Sequence, residues 1–370
     1  MMSRKRTFLS FAFPMGLLAI LGLVAFAGQA RPSARELDRW LKEREFSGAL
    51  LFAKGGKTVF RTAMGQADLA GKEPLTTRSS FNLASVSKQF TAAAVMLLFE
   101  SGRVKLDESV AAYLPELAFA PEITVRHLLN HTSGLPDIYG VLEREWDKTK
   151  IAGNEQVLEI LAAKKPALLF RPGDKMQYSN TGYILLASIA EKVSGLPLAR
   201  FLGERVFAPL GMADTFVYTL TMPKYPRPSR VFGMKRDGGK LALDDLIYCD
   251  GMRGDGNVHS SVEDLFKWDR ALYGETVLKK ETIGLMLSPG RLNDGTLIDY
   301  GFGFGLSENG RVASHGGSWV GFRSLIVRYL DRQDTFIILI NCLPPQPKGF
   351  VDEIQKRFFG PWPPRESNRP

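Results

Sequence analysis

The spacing of hydrophobic positions changes four times along this chain. From Ser33 to Arg44 apolar residues recur at helical intervals. Two short runs follow, Ala49 to Lys54 and Lys57 to Met64, separated by Gly55-Gly56. Strand-like runs joined by a two-residue Gly-Gly turn predict a β-hairpin. A long apolar helical pattern opens at Ser85, passes through Phe90, Val95, Leu97 and Leu98, and stops at Gly102. From there to about Tyr248 the pattern is helical and loop-rich. Helices are predicted at Val125–Asn130, Glu155–Ala163, Thr181–Ser194 and Leu198–Phe207, punctuated by Pro115, Pro136, Pro172-Gly173, Gly195 and Pro209. One more helix is predicted over Ser261–Leu272. Strand patterns then return at Tyr300–Leu306, Arg311–His315, Phe322–Leu330 and Thr335–Asn341. Asn309-Gly310 and Asp331–Asp334 are the turns between them. A last helix, Val351–Phe359, precedes a Pro-rich tail.

Strands at both ends with helices between them predict an α+β fold. One antiparallel sheet would be built from both chain ends and flanked by helices, with a mostly helical lobe inserted. The expected boundaries are about 31–84 and 250–360 for the sheet lobe and 85–249 for the helical lobe, with 361–370 as a disordered tail.

Composition narrows the class. The 370 residues are 45% hydrophobic and 24% charged, ordinary for a globular protein with a large core. The net charge is +9, and Arg4, Lys5 and Arg6 supply three of those charges. Lys and Arg are dispersed rather than interleaved with aromatics, which argues against a nucleic-acid partner. The apolar run Phe8–Ala27 follows those three cations and leads to the small-x-small sites Ala25-Phe26-Ala27 and Gly28-Gln29-Ala30. Residues 1–30 therefore read as a secretory signal peptide, and the expected location is periplasmic or secreted. The alternative is an uncleaved membrane anchor, since the run nearly spans a bilayer. Cys249 and Cys342 are the two cysteines. Export permits a disulfide between them, and spacing alone does not decide it.

The chemistry lies in three short motifs. Ser85-Val86-Ser87-Lys88 puts a hydroxyl and an amine three residues apart at a helix start, where i and i+3 share a face. A serine is a poor nucleophile until a base activates it, and a lysine can do so. Alone, the pattern equally describes a capped, solvent-facing helix start. Tyr178-Ser179-Asn180 offers a phenol and a carboxamide just before the helix at Thr181. The plain reading is a helix capped by Asn180. His315-Gly316-Gly317-Ser318 lies at the end of a strand, where glycines allow close approach to the backbone. His127 and His131 are four apart, but position 128 is Leu, so the general-base Glu of a zinc protease is absent; no metal site is expected. Tyr300-Gly301-Phe302-Gly303-Phe304-Gly305 reads as a packed strand with glycines on one face, not as a dinucleotide loop.

Taken together and in this order, the three motifs resemble the serine β-lactamase and penicillin-binding family, most closely its class C-like branch with D,D-carboxypeptidases, D-aminopeptidases and esterases. Phe81–Lys88, Gly102–Asp107, His127–Leu135, Pro209–Met212 and Gly256–Trp268 are also similar to family sequence, so the resemblance spans nearly all of 45–345. It implies that Ser85 is acylated, that Lys88 exchanges its proton, and that Tyr178 is a second proton carrier. Asn180 would hydrogen-bond the acyl part of a substrate. His315, Gly316, Gly317 and Ser318 would line the substrate, with the N–H groups of Ser85 and Ser318 forming an oxyanion hole. No cofactor is implied, and the partner is a small-molecule or peptide substrate. The chain departs from β-lactamases where they carry Lys-Thr-Gly. His315 is a weaker cation than Lys, and Gly316 lacks the Thr hydroxyl. The expected activity is hydrolysis of a small acyl ester or a D-amino-acid peptide. The alternatives are a β-lactamase or D,D-carboxypeptidase proper, and a non-catalytic ligand-binding or scaffold protein. Arg323 could return a cation to the site. Tyr139–Ile151 and Tyr218–Tyr248 are the candidate pocket walls.

Overall fold

A computed structural model describes residues 34–221, 230–343 and 349–354. The expected signal peptide, the tail at 361–370 and the end of the last helix lie outside the described residues. Helix α1 (Ala34–Glu43) leads into the hairpin of β1 (Ser47–Lys54) and β2 (Lys57–Met64). The same sheet takes β3 (Met234–Asp237), β4 (Lys240–Leu243), β5 (Gly305–Ser307), β6 (Val312–Trp319), β7 (Phe322–Tyr329) and β8 (Asp334–Cys342). Its order is β5-β6-β7-β8-β1-β2, antiparallel throughout that path. Both chain ends thus build one sheet, as the hydrophobic pattern indicates. The β3–β4 hairpin hangs from β8 through the pair Met234↔Cys342. It falls within 85–249, the stretch read from sequence as the helical lobe.

The central strands are buried on both faces. Leu50, Phe52, Phe336, Ile338 and Ile340 pack with Leu37, Trp40 and Leu41 of α1. Ala49, Leu51, Ile337 and Leu339 face the opposite way, into the main core. A strand covered on both sides needs a nearly continuous apolar run, which is what Ala49–Ala53 supplies.

Helix α2 (Lys88–Glu100) is the axis of that core. Every residue from Lys88 to Leu98 is buried. A helix hydrophobic all round belongs in an interior, and its few polar side chains must then find partners. Thr91 Oγ1 donates to the Gly254 carbonyl at 2.6 Å, and Gln89 Oε1 accepts from Trp268 Nε1 at 3.1 Å. Helix α3 (Ile138–Glu145) packs on helix α4 (Asn180–Ser194), which packs on α2. Helix α5 (Val262–Ala271) packs against β1 and β8.

Three local expectations are corrected. The α-helix begins at Lys88, and Ala84–Ser87 is a turn of 3₁₀-helix. Tyr300–Leu306 is not one strand: pairing with β6 is confined to Gly305–Ser307. Gly303, at φ +81°, lies so close to Lys88 and Gln89 that a Cβ would meet the Lys88 carbonyl at 2.9 Å. That bend brings Phe302 and Phe304 into the core. Finally, β6 does not stop at His315. Its ladder with β7 continues through Gly316↔Leu325 and Gly317↔Ser324 to Trp319↔Phe322. Cys249 and Cys342 are free and buried, so the permitted disulfide is not formed.

Candidate active site

Ser85 sits on a turn that its neighbours fix from several sides. Ala84 precedes it at φ +47°, a conformation rare for a residue with a side chain. Asn82 Oδ1 holds the Ala84 N–H at 2.8 Å, and Ser87 Oγ accepts the Val258 N–H at 3.0 Å. The Leu83 carbonyl accepts Ser324 Oγ from β7 at 2.6 Å. In a 3₁₀ turn residues three apart eclipse, so Ser85 and Lys88 meet more directly than α-helical spacing would bring them. Lys88 Nζ lies 3.2 Å from Ser85 Oγ.

Lys88 is fully buried, and its amine has three oxygen partners. Besides Ser85 these are Asn180 Oδ1 at 2.9 Å and the Asp255 carbonyl at 2.8 Å. An ammonium has three N–H groups and satisfies all three oxygens. A neutral amine has two, and the Asn180 and Asp255 oxygens take both. Its lone pair then faces Ser85 Oγ. The same cage therefore fits the lysine before and after it accepts a proton.

Asn180 is aimed by a residue that sequence reasoning passed over. Asp137 Oδ2 accepts from the Asn180 backbone N–H at 2.9 Å and from Nδ2 at 3.0 Å. With Nδ2 held, Oδ1 turns to Lys88. The other Asp137 oxygen accepts the Tyr139 N–H at 3.0 Å and caps α3. Asp137 is the second residue after Leu135, so an Asp before a helical run was the signal present.

Tyr178 lies just ahead of α4 and is 39% exposed. Its ring centroid is 4.9 Å from Lys88 Nζ. His131 stacks against it at 4.3 Å, and His131 Nδ1 accepts the Ser179 N–H at 3.1 Å. Burial, with the Lys88 charge, holds His131 well below the ordinary imidazole range, so it is neutral here. His127 Nδ1 in turn accepts the Thr124 N–H at 3.2 Å. Both histidines of the spaced pair are thus used in holding backbone.

On the sheet side, β5 pairs only with Val312–Ser314, so β6 has a free edge from His315 onward. The two-residue turn closed by Trp319↔Phe322 makes alternate pairs exchange both hydrogen bonds. Ser318 falls between them, and its N–H faces the free edge. Gly317 presses on the turn that carries Ser85. A Cβ there would meet the Leu83 carbonyl and Ser324 Oγ, each at 2.3 Å. The glycine is what lets the strand lie beside Ser85.

His315 is buried and neutral. Its Nδ1 lies 2.7 Å from the Gly316 carbonyl, which only accepts, so Nδ1 carries the proton. Nε2 then accepts the Tyr300 hydroxyl at 3.0 Å. Burial first, then the Lys88 charge, pushes its pKa down to about 3. The partial cation expected from sequence is therefore absent. Arg323 does not replace it. Its guanidinium donates to the Val320 and Phe322 carbonyls at 2.9 and 2.6 Å, on the β6–β7 turn.

The structure thus brings Ser85, Lys88, Tyr178, Asn180 and the His315–Ser318 strand to one cleft, with Asp137, His131, Tyr300 and the Asp255 carbonyl as supports. Comparisons with known proteins show the family of the chain and its fold. The Beta-lactamase family model matches residues 34–359. Penicillin-binding protein 4* of Bacillus subtilis is 39% identical over 312 residues, covering 81% of this chain and 69% of that one. The D-aminopeptidase of Brucella ovis is 30% identical over 311 residues, covering 80% of this chain and 56% of its own length. Among solved structures, a D-amino acid amidase from Ochrobactrum anthropi superposes with a TM-score of 0.71 at 26% identity, covering 88% of this chain and 96% of that one. The octameric penicillin-binding protein homologue from Pyrococcus abyssi has the same fold, with a TM-score of 0.74 at 24% identity over 89% of this chain and 78% of that one. The chain belongs to the Beta-lactamase family of serine hydrolases.

Proposed function

We propose that this chain is an exported serine hydrolase that cleaves an ester or amide through an acyl-enzyme on Ser85. The substrates are small acyl esters or D-amino-acid peptides. The three-oxygen cage around Lys88 Nζ carries this reading. A buried lysine aimed at a serine hydroxyl has little structural use, because burying an amine costs free energy that burying an apolar side chain does not.

The steps follow from the placement of the groups. The substrate carbonyl oxygen sits between the N–H groups of Ser85 and Ser318, where negative charge develops. Ser85 Oγ attacks the carbonyl carbon while its proton passes to Lys88 Nζ or to Tyr178. The C–O or C–N bond of the substrate breaks, and that proton goes to the departing alkoxide or amine. Water then attacks the acyl-enzyme, with the same groups taking and returning a proton, and Ser85 is restored. Asn180 steers the acyl group while Asp137 holds it.

The leaving-group end decides between substrates. His315 is neutral and Arg323 is tied to its own turn, so neither of these two described residues offers a cation to a substrate carboxylate there. Neutral esters and amides suit such a site better than β-lactams or peptides ending in D-Ala. The D-aminopeptidase and D-amino acid amidase relatives support the amide half of the proposal. A panel of p-nitrophenyl esters, D-aminoacyl anilides, D-Ala-D-Ala peptides and nitrocefin tests it. Turnover of the first two, lost in Ser85→Ala, is the expected result. Efficient nitrocefin hydrolysis with neither of those would overturn it.

A further inference from the structure

Two aromatic rings that the acyl-transfer chemistry leaves unused meet beside the site. Tyr139 stands in the first turn of α3, two residues after Asp137. Trp319 ends β6, next to Ser318. Their ring centroids are 5.5 Å apart at 59°, contact distance for a tilted pair. The rings meet across the gap between the helical side and the sheet.

Each ring is pinned by its polar tip to one loop. Tyr139 donates its hydroxyl to Asp255 Oδ2 at 2.9 Å, and Trp319 Nε1 donates to Asp250 Oδ1 at 2.8 Å. Both carboxyl groups are buried. The loop that carries them is held in its turn. Asp250 Oδ2 accepts the Ile247 N–H at 2.6 Å, the Asp250 carbonyl accepts the Leu220 N–H at 2.8 Å, and the Asp255 carbonyl accepts from Lys88. Swinging either ring aside would take the donor from one oxygen of a buried carboxyl, Asp250 Oδ1 or Asp255 Oδ2. The pair is therefore a fixed wall.

Its place along the cleft follows from its neighbours. Tyr178 and His315 approach one another with rings 6.3 Å apart, and the acyl-transfer reading puts the leaving group at that end. Tyr139 stands on the other side, beside Asp137 and Asn180, where the acyl part is held. We propose that Tyr139 and Trp319 form the end wall of the acyl pocket, and that this wall restricts the enzyme to short acyl groups. This rests on the acyl-transfer reading above.

The test is the hydrolysis of p-nitrophenyl acetate, butyrate and octanoate, which share a leaving group. Wild-type kcat/KM should be highest for the two short esters. In Trp319→Ala the octanoate-to-acetate ratio should rise about tenfold or more, since a single methylene in a pocket changes rates by about that factor. Trp319→Phe keeps a ring and should keep the short-chain preference. Tyr139→Leu opens the wall from the other side and should raise the same ratio, which covers the case in which Trp319→Ala does not fold. Preference among leaving groups, measured on acetyl esters, should not move. Ratios within about twofold of wild type in both Trp319→Ala and Tyr139→Leu would overturn the inference, and so would a shift confined to leaving groups. If wild type neither turns over these esters nor is labelled on Ser85 by a fluorophosphonate, the acyl-transfer reading fails and the inference falls with it. A labelled, active wild type with unchanged variant ratios refutes the inference alone.

Discussion

Replacing Asp137 with Ala should cripple the site without touching any residue of the three motifs. Its Oδ2 accepts from both Asn180 N at 2.9 Å and Asn180 Nδ2 at 3.0 Å. Hydrogen bonds to a charged group contribute about 1.5–3 kcal/mol each. Losing both frees the Asn180 amide to rotate, so Oδ1 no longer faces Lys88 Nζ. If about half of that energy serves to orient Asn180 in the transition state, kcat/KM falls about 10²-fold, or about 2.7 kcal/mol. The other Asp137 oxygen caps α3 through Tyr139 N at 3.0 Å, and loss of a cap costs about 1 kcal/mol of stability. Asp137→Asn keeps one acceptor oxygen for the Tyr139 N–H but turns an NH2 donor toward the two Asn180 donors, so its fall in kcat/KM should be no smaller than that of Asp137→Ala. The assay pairs kcat/KM on p-nitrophenyl acetate with thermal melting and the rate of Ser85 labelling by a fluorophosphonate. A folded Asp137→Ala protein with kcat/KM within about threefold of wild type would refute the orienting role.

Lys88→Met fills the same volume without an amine, so a folded variant should lose kcat/KM by about 10³-fold or more; retained Ser85 labelling at the wild-type rate would contradict it. Gly317→Ala puts a Cβ 2.3 Å from the Leu83 carbonyl and should displace β6 from the nucleophile turn, lowering both the melting temperature and kcat/KM; a variant unchanged in both would show that the strand does not seat Ser318 beside Ser85. His259 is buried against Phe216 and Tyr218, and burial pushes its pKa down to about 3. Between that value and the unfolded value of about 6.5 the unfolded chain binds a proton that the folded chain does not, so this contribution to stability rises with pH and is lost on acidification. His259→Phe should therefore gain about 2 kcal/mol relative to wild type between pH 6.5 and pH 5 in urea melts; identical pH slopes would contradict the neutral, buried state.

What the sequence disclosed and what it withheld divide along a physical line. The β1–β2 hairpin, the sheet built from both chain ends and the apolar start of α2 were legible because each depends on local periodicity and turn residues. Ser85, Lys88, Tyr178 and Asn180 were singled out by the resemblance of three motifs taken together, since the two motifs that hold them each read alone as a helix start; the structure gathers them around Lys88 Nζ. The extent of β6 was not, since Gly316 and Gly317 have poor strand propensity and are kept in the ladder by β7 and by close packing on Leu83. Tyr300–Phe304 alternates like a strand, yet the approach of Gly303 to Lys88 and Gln89 bends it. Asp137, Asp255 and Tyr300 act through partners 43, 167 and 15 residues away in the chain. No local pattern marks such contacts. The neutrality of His315 also came only with its burial, because an exposed histidine in the same motif would titrate near pH 6.5.

The central claim is that Ser85 is a nucleophile made reactive by the Lys88 cage. Intact-mass and peptide mass spectrometry after exposure to a fluorophosphonate tests this most directly. The account predicts one adduct on the peptide carrying Ser85, absent in Ser85→Ala and formed far more slowly in Lys88→Met. No adduct on wild type, or the same adduct on Ser85→Ala, would contradict it.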